Sequence, residues 1–339
     1  MPANLSYFTP RALTGIINLR PLKHDLFASF FKPRAPQNVD VLEVQTKLRG
    51  VAILPAITNY SEGTMRDGAT LSVAHVKAPR FRPKRAFRAA DILHTQAGHT
   101  PYDPLVDPVE RAVAEDMDAH RDDIDYMVEI MCAQAAVDGR IELYDMVEGN
   151  AVKTYEVDFK RPQTHNVVLA GAAQWSSNTS DLIGSIEDYD ALIQEDTSGY
   201  AATDLIMGKA AFAAWLKHPQ VEKMLDNRRI DLGNIVPKAG RKWKGIWNGL
   251  NIWLYNATYK DISGQTRYYL DPDCALLLAR DADSVIEYGR PVDVQCEGAA
   301  KIFAKQYEQQ DPSGIFTIAE SRPLPMTRHC GWTVKIKAV

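Results

Sequence analysis

The feature that most constrains the fold is one long helical pattern near the middle of the chain. It runs through DPVERAVAEDMDAHRDDIDYMVEIMCAQAAVDG, from Asp107 to Gly139. Pro108 suits the first turn of a helix, Asp107 suits its N-cap, and Gly139 suits its end. Apolar residues follow helical spacing along one face: Val109, Val113, Met117, Ile124, Met127, Val128, Met131 and Ala135. About 30 residues at 1.5 Å each give a helix of roughly 45 Å, which is long for a globular domain.

The remaining surface of this helix is acidic. Residues 108–138 contain nine Asp or Glu residues and two Arg residues. A charge run on a helix is usually solvated or faces a partner, so we expect the acids to be exposed. They include Glu115, Asp116, Asp118, Asp122, Asp123 and Asp125. Crowded, exposed acids do not predict a pair of catalytic carboxyl groups.

A basic segment precedes the helix. From Lys77 to Arg88 the chain has six cationic residues, no acid, two prolines and two phenylalanines, although its formal net charge is −4. Arginines interleaved with aromatic residues can bind nucleic acid. They can equally bind an acidic protein surface. A pI of about 6.1 is not typical of a dedicated DNA-binding protein.

Other motifs predict no catalytic, cofactor or metal site. His94 and His99 in HTQAGHT match no standard zinc spacing. GxSxG, GxGxxG and GxxxxGK[ST] motifs are absent from the sequence. Three tryptophans resemble a sugar-stacking platform, but packing of a hairpin is the commoner role of such residues; they are Trp243, Trp247 and Trp253.

The cysteines and the N-terminus bear on the compartment. Cys132, Cys274, Cys296 and Cys330 lie far apart without CxxC spacing, which fits reduced thiols in a cytosolic protein. Pro10 and Pro21 interrupt the N-terminal residues, which have the pattern of neither a signal peptide nor a membrane span.

The order of predicted elements indicates a mixed α+β chain. Residues 1–45 have the pattern of an arm that buries little against itself, with a strand at VDVLEV, and residues 50–103 predict a long extended hairpin or loop. The elements predicted after the long helix are a hairpin (RIELYDM and NAVKTYEVDFK), a helix capped by Asp181 or Ser180, a strand (YAATDLIMG) and a helix interrupted by Pro219. WNGLNIWLYNATYKDISGQTRYYL then predicts two strands about a turn at Ser263-Gly264, and CALLLAR, IFTIAESRPLPM and GWTVKIKAV predict one strand each.

This ordered set resembles the lambda-like major capsid protein family (phage capsid protein E), which has the Hong Kong 97-type capsid fold. The similar stretches are AQWSSNTSDLIGSIEDYDALIQEDTSGYAATDLIMG with WLKHPQVEKMLDNRR, NGLNIWLYNATYKDISGQTRYYLDPDCALLLA, EYGRPVD, and AESRPLPM with TVKIKAV. The resemblance implies an N-terminal arm at 1–45, an extended loop at 46–103, a peripheral domain at 104–200 and 295–339, and an axial domain at 201–294. Residues of about 107–138 would be the spine helix.

The resemblance also implies a function. The chain would self-assemble through hexamers and pentamers into the icosahedral head shell of a tailed double-stranded DNA phage, without catalytic residues or a cofactor. Implied partners are a portal, packaged DNA, and a scaffold supplied by a separate chain, because nothing before residue 10 has the pattern of a long propeptide. Members of the family often have a decoration protein as well. The implied location is the virion capsid, and the host cytoplasm during assembly.

In this family's fold the extended loop crosses an adjacent subunit, which suggests a partner for the basic segment. We expect its cationic residues to meet the acidic side of a neighbour's spine helix. The predicted contacts join Arg80, Arg82, Lys84, Arg85 and Arg88 to Glu115, Asp118, Asp122 and Asp125. The alternative functions are a nanocompartment shell enclosing protein cargo, and a nucleic-acid-binding protein or enzyme of the α+β class.

Overall fold

The chain divides into two compact units. The computed structural model describes residues 9–19, 26–48, 70–88, 108–147, 149–197, 199–225, 233–235, 242–296, 298–309 and 314–339. The first unit is formed by Met1–Leu42, His75–Ile130 and Val285–Pro325, and the second by Glu43–Ala74, Met131–Ser284 and Met326–Val339. The predicted division into arm, loop, peripheral domain and axial domain is a different partition and stays a prediction.

The described ranges contain both helices and strands. The helices are α1 (Pro10–Leu19), α2 (Pro108–Val137), α3 (Leu182–Thr197), α4 (Lys209–Lys217) and α5 (Pro219–Leu225), with 3₁₀ helices at Phe27–Phe30, Gln163–His165 and Gly171–Ala173. The strands are β1 (Lys32–Pro33), β2 (Val41–Leu48), β3 (Thr70–Lys77), β4 (Lys84–Arg88), β5 (Arg140–Val147), β6 (Asn150–Asp158), β7 (Asn166–Val168), β8 (Asp204–Met207), β9 (Gly233–Ile235), β10 (Trp243–Trp247), β11 (Leu250–Leu254), β12 (Thr258–Lys260), β13 (Thr266–Tyr268), β14 (Cys274–Leu278), β15 (Val285–Tyr288), β16 (Ile302–Gln309), β17 (Gly314–Ser321), β18 (Pro323–Met326) and β19 (Thr333–Lys337). The predicted α+β class is confirmed.

The first unit is built around a three-stranded antiparallel sheet. Its strand order is β16-β17-β4, and β16 and β17 pair over their full length of eight residues each. A second small sheet has the order β1-β15-β18. Aromatic residues of the arm fill the core of this unit: Phe27, Phe30 and Phe31. This part of the arm is therefore a buried element.

A buried carboxylate holds that part of the arm in place. Glu129, on α2, is 2% exposed and accepts hydrogen bonds from the backbone amides of Phe27 and Ala28, both at 2.7 Å. These two amides open the short 3₁₀ helix, where backbone donors have no intrahelical partner. A carboxylate that accepts two backbone N–H bonds satisfies both donors at once.

The second unit is built around a mixed seven-stranded sheet. Its strand order is β7-β19-β14-β8-β11-β10-β9, in which β8 pairs parallel with β11 and antiparallel with β14. Every residue of β8 and β14 is buried, and apart from Asp204 their sequences are apolar, because a central strand covered on both faces has no solvent-exposed side. The side chains of Trp215 and Trp247 meet edge to face, with ring centroids 5.4 Å apart.

The predicted long helix is confirmed, as is the residue that ends it. α2 spans Pro108–Val137. Gly139 has φ +68°, and a Cβ there would lie 2.8 Å from the Cβ of Arg161. Arg161 donates to the carbonyl of Val137 at 2.8 Å and so satisfies an acceptor of the last turn. The burial of this guanidinium lowers the pKa of Arg161, against the attraction of Asp138.

The expectation that the acids of α2 are all exposed is wrong. Asp116 and Asp125 are each 5% exposed, and Glu129 is 2% exposed. Burial extends around the helix because its C-terminal turns are covered on every side: residues 128–133 and 135–137 are all buried. The buried acids have polar partners close by, as buried charges require. Glu115, Asp122 and Asp123 remain exposed.

Several shorter elements are confirmed. The hairpin β5–β6 forms as expected, and α4 and α5 are separated at Pro219. Asp181 caps α3, because its Oδ1 accepts from the amide of Gly184 at 3.1 Å.

Two predicted strands divide. The stretch NIWLYNATYK forms β11 and β12, which belong to different sheets, and β10–β11 is a hairpin whose turn residues, Asn248 and Gly249, both have positive φ. Asn-Gly is the preferred pair for such a turn, so this dipeptide in the sequence already indicates the hairpin. IFTIAESRPLPM forms β17 and β18, which separate at Arg322.

Candidate assembly surface

The basic segment forms an edge of the first unit's main sheet. β4 pairs antiparallel with β17, with Lys84 opposite Ile318 and Arg88 opposite Gly314. Upstream, Phe81 and Ser321 exchange backbone hydrogen bonds of 2.9 and 3.0 Å. The segment therefore lies beside a strand that is more than 200 residues away in the chain.

Arg80 and Arg82 have an acidic partner on the adjacent strand. Glu320 is 0% exposed, and its Oε2 accepts from Arg80 Nη2 at 2.7 Å, with Arg82 Nε 3.5 Å away. Its Oε1 accepts from the amide of Val292 at 2.6 Å. The hydrogen bond to Glu320 raises the pKa of Arg80, outweighing partial burial. Glu320 thus neutralises the start of the basic segment inside the chain.

A second carboxylate completes this ion-pair cluster. Asp293 Oδ2 lies 2.6 Å from Lys305 Nζ and 3.3 Å from Arg82 Nη2, and Oδ1 accepts from the amide of Gln295 at 3.0 Å. Burial by itself would raise the pKa of Asp293, but hydrogen bonds from Lys305 and from the Gln295 amide outweigh it, so the pKa is lowered. Both acids lie far from the basic segment in sequence.

Lys84 lies over two aromatic rings. Its Nζ is 4.1 Å from the ring centroid of Phe316 and 5.3 Å from that of Tyr307. The two rings stack with centroids 5.0 Å apart and an interplanar angle of 14°. This geometry is that of a cation–π contact, in which the ammonium lies within about 6 Å of a ring face.

Arg85 reaches α2 of its own chain. Its guanidinium lies 3.3 Å from Asp123 Oδ2 and 3.7 Å from Asp116 Oδ1. Asp116 also accepts a hydrogen bond from the hydroxyl of Thr317, which in turn lies 3.1 Å from His120 Nε2. Burial lowers the pKa of His120, although the nearby charge of Asp116 opposes this shift. A polar network therefore joins β4, α2 and β17.

The predicted contact residues occupy different environments in the single chain. Arg80, Arg82 and Arg85 keep 36–46% of their side chains exposed while paired within the chain, and the side chain of Arg88 lies outside the described residues. Asp125 is buried, and its Oδ2 lies 3.1 Å from Arg121 Nε. Glu115 and Asp122 are exposed and Asp118 is half-buried. The partners that the structure gives Arg85 are Asp116 and Asp123, which the sequence analysis did not select. The contacts between subunits stay a prediction.

A buried arginine ties the basic segment to the arm. Arg322 is 2% exposed and pairs with the carboxylate of Asp40. It also donates to the carbonyls of Ala78 (3.1 Å), Arg290 (3.1 Å) and Asp40 (3.3 Å). The hydrogen bond from Arg322 is the main cause that lowers the pKa of Asp40. One guanidinium thus joins three chain segments where the basic segment begins.

The sequence analysis missed Glu320, Asp293 and Arg322. A signal existed for two of them: AESRPLPM places an acid and an arginine inside an otherwise apolar, strand-forming stretch. Charged residues in such a stretch are rarely buried unless they are paired. Their partners could not be identified, because no local pattern specifies which distant segment lies beside β17.

The other candidates from the sequence are the two histidines and the three tryptophans. His94 and His99 lie outside the described residues. Trp247 is buried in the core, and Trp253 Nε1 donates to the buried Asp204 at 2.7 Å. Across the described ranges, no group of three His, Cys, Asp or Glu side chains is placed to hold a metal ion. No helix in those ranges is long and apolar enough to cross a membrane.

Comparison with known proteins places the chain among phage head proteins. The model of the family "Phage major capsid protein E" matches residues 9–338. The major capsid protein of Escherichia phage N15 is 28% identical over 234 residues, covering 65% of this chain, and the chain spans 66% of that relative's length. The major capsid protein of Enterobacteria phage P21 is 25% identical over 345 residues, covering 94% of this chain and 96% of the relative.

Solved structures share the fold. A prophage capsid protein from E. coli CFT073 superposes with a TM-score of 0.68 at 19% identity, covering 97% of this chain and 99% of that one. The SrpI encapsulin of Synechococcus elongatus has a TM-score of 0.51 at 8% identity, covering 96% and 94%. At such identities the likeness concerns the fold alone.

Proposed function

The chain belongs to the phage major capsid protein E family and has the Hong Kong 97-type capsid fold, and from this premise we propose that its copies assemble through hexamers and pentamers into the icosahedral head shell of a tailed double-stranded DNA phage. The observation that carries the proposal is the family match over residues 9–338. A match over nearly the whole chain supports one structural role for it. The role is structural, and we assign no catalytic activity to the chain.

The relatives favour a phage head over a cellular nanocompartment. The sequence similarity is to phage proteins at 25–28% identity, whereas the encapsulin shares the fold at 8% identity. We therefore propose a head shell with packaged double-stranded DNA, a portal and a separate scaffold chain as partners. Assembly would take place in the host cytoplasm and the finished protein would belong to the virion.

We further propose that the basic segment contacts a neighbouring subunit through the exposed part of its arginines. Arg80, Arg82 and Arg85 already pair within the chain, yet each guanidinium has several donors and a side chain 36–46% exposed. Glu115 and Asp122 are exposed on α2 and suit such a contact. Asp125 suits it less well, because it is buried beside Arg121.

The strength of this contact would come from repetition. Each exposed pair contributes about 0–1 kcal/mol. A ring of identical pairs can still fix register and disfavour wrong contacts, since like charges brought together are costly. Lys84 would contribute less, because its ammonium lies over the Phe316 ring. The intrachain partners Glu320 and Asp293 would hold the arginines in place before the subunits meet, which lowers the entropy lost on contact.

The first experiment is to express the full chain alone and to examine it by size-exclusion chromatography and negative-stain electron microscopy. Shells, tubes or rings of five and six are expected. A chain that stays monomeric with crowding agents and with a co-expressed scaffold would refute the assembly. Nuclease-protected DNA in particles from producing cells supports the phage head, and one abundant cargo protein would instead identify a nanocompartment.

A second experiment tests the contact between subunits. Arg85→Glu places a negative charge beside Asp116 and Asp123, so it should block assembly and also lower monomer stability. The variants matched to Arg85→Glu are Glu115→Lys and Asp122→Lys. They change exposed acids on α2, which is the acidic side of the proposed contact. These two variants should keep the circular dichroism of the monomer and reduce shell yield. Normal shell yield from both would refute the contact.

A further inference from the structure

The helix of the arm lies along one edge of the main sheet of the first unit. The strand order β16-β17-β4 leaves β16 with one side paired to β17 and the other side facing away from it. In an antiparallel pair, alternate residues point their backbone N–H and C=O away from the partner strand. On β16 these residues include Ile302 and Ala304, and the side chains of α1 meet them.

Two side chains of α1 satisfy all four of those backbone groups. Asn18 Nδ2 donates to the Ile302 carbonyl at 2.7 Å, and the Ile302 amide donates to Asn18 Oδ1 at 3.3 Å. The Ala304 amide donates to Thr14 Oγ1 at 3.0 Å, and the same hydroxyl lies 3.3 Å from the Ala304 carbonyl. Each side chain both donates and accepts hydrogen bonds, as the backbone of a neighbouring strand would.

The spacing of the two elements explains this match. Residues four apart on a helix are separated by about 6 Å along its axis. Residues two apart on an antiparallel strand are separated by about 6.8 Å. Thr14 and Asn18 therefore face Ala304 and Ile302 in register. An Asn amide and a Thr hydroxyl are among the few uncharged side chains that can donate and accept at the same time.

Independent contacts fix α1 in this position. Leu13 and Ile17 are each 2% exposed, so the helix buries its apolar face in the unit. Arg121 Nη1 donates to the carbonyl of Ile17 at 2.7 Å and so satisfies an acceptor at the helix C-terminus. On the opposite face Ile16 is 57% exposed and makes a suitable control position.

We propose that α1 is a cover for the β16 edge, and that it prevents this edge from pairing with the same edge of a second copy of the chain. An eight-residue edge strand is a template for pairing, and proteins block such templates with charges, bulges or a covering element. Two identical antiparallel edges can pair about a two-fold axis. Such a contact would be a closed dimer of sheets, which competes with any other assembly.

The test replaces the polar groups and keeps the shape of the helix. In the full chain, Thr14→Val/Asn18→Leu removes the four hydrogen bonds and retains apolar packing. Amide hydrogen exchange at low micromolar concentration should rise about ten-fold or more at Ile302 and Ala304 and stay unchanged in β17. At several hundred micromolar, light scattering should detect a dimer in excess of wild type, and protection of the same two amides should return.

Single variants keep the test informative if the double variant fails to fold. Thr14→Val should expose the Ala304 amide, and Asn18→Leu should expose the Ile302 amide. Ile16→Ala is the control on the exposed face of α1 and should change neither amide. Unchanged amide hydrogen exchange at Ile302 and Ala304 in the variants would refute the proposal that α1 covers the β16 edge. Faster amide exchange without a concentration-dependent dimer would show that an uncovered β16 edge does not pair with a second copy of the chain, and would refute that part of the proposal.

Discussion

Arg322→Met is the substitution whose cost follows most directly from the contacts. The methionine retains most of the aliphatic volume, so the main loss is that of the guanidinium. That loss leaves the carbonyls of Ala78, Arg290 and Asp40 without their donor. The Asp40 carboxylate is 54% exposed and can be hydrated instead. The carbonyl of Ala78 lies in a buried contact and the other two are partly buried.

These contacts give an order-of-magnitude cost. A buried acceptor left unsatisfied costs about 1–3 kcal/mol, and each partly buried one roughly 0.5–1 kcal/mol. We therefore expect Arg322→Met to lower the free energy of unfolding by about 2–5 kcal/mol. With a urea slope of about 2 kcal/mol/M, the midpoint falls by about 1–2.5 M. Arg322→Lys should have an intermediate cost, because one ammonium cannot reach three separate carbonyls.

The assay separates the two units because of where the tryptophans lie. All six are in the second unit: Trp175, Trp215, Trp243, Trp247, Trp253 and Trp332. Tryptophan fluorescence therefore reports on the second unit, and far-ultraviolet circular dichroism reports on both. Because Arg322 belongs to the first unit, its loss should shift the circular dichroism transition.

The control is Asp40→Asn, which removes only the half-exposed charge. It should cost less than about 1 kcal/mol, since exposed pairs are weak. Equal costs for Asp40→Asn and Arg322→Met would show that the ion pair, not the carbonyl contacts, holds the segments. A change below about 1 kcal/mol for Arg322→Met would refute the assigned role altogether.

Three further predictions concern single side chains. Burial lowers the pKa of His120 below its ordinary 6.5, so its contribution to stability is full above that pH and is lost as the pH falls below it. His120→Gln should therefore flatten the fall in stability as the pH drops below about 6.5, and an unchanged slope would contradict this. Glu129→Gln should lower the unfolding free energy by about 1–3 kcal/mol, because one of two buried amides loses its acceptor. Circular dichroism in urea measures this cost, and a cost near zero would mean that the arm is held by its phenylalanines alone. Gly208→Ala places a methyl 2.6 Å from the carbonyl oxygen of Pro272 and against that of Asp271, so fluorescence should show a loss of about 1–3 kcal/mol or more. An unchanged fluorescence midpoint would show that this turn can shift.

The long helix and most short elements were predictable because their signals are local. The periodic apolar residues of α2 and its terminal Gly139 are neighbours in sequence, and the observed span, Pro108–Val137, follows them. The break between α4 and α5 follows from Pro219 in the same way. The split between β11 and β12 was not predicted, since the residues between them are as apolar and aromatic as the strands.

The basic segment shows the opposite case. Its charge was evident from the sequence, but neither its pairing as strand β4 nor its partners were. Arg80 bonds to Glu320 across 240 residues, and Arg82 reaches Asp293 across 211. The exposure of the acids on α2 was also misjudged, because a helical charge pattern does not reveal that Arg85 and Thr317 lie against the helix.

The sequence by itself thus determined the α+β class, the long helix, the family and the presence of a basic segment, because short-range periodicity and ordered similarity encode these. The tertiary structure alone decided which charges are paired, which acids are buried and which strand edge α1 covers. The physical reason is that a hydrogen bond or ion pair needs its two groups within about 3–4 Å. Only the order of strands in the sheets brings residues so far apart in the chain to that distance.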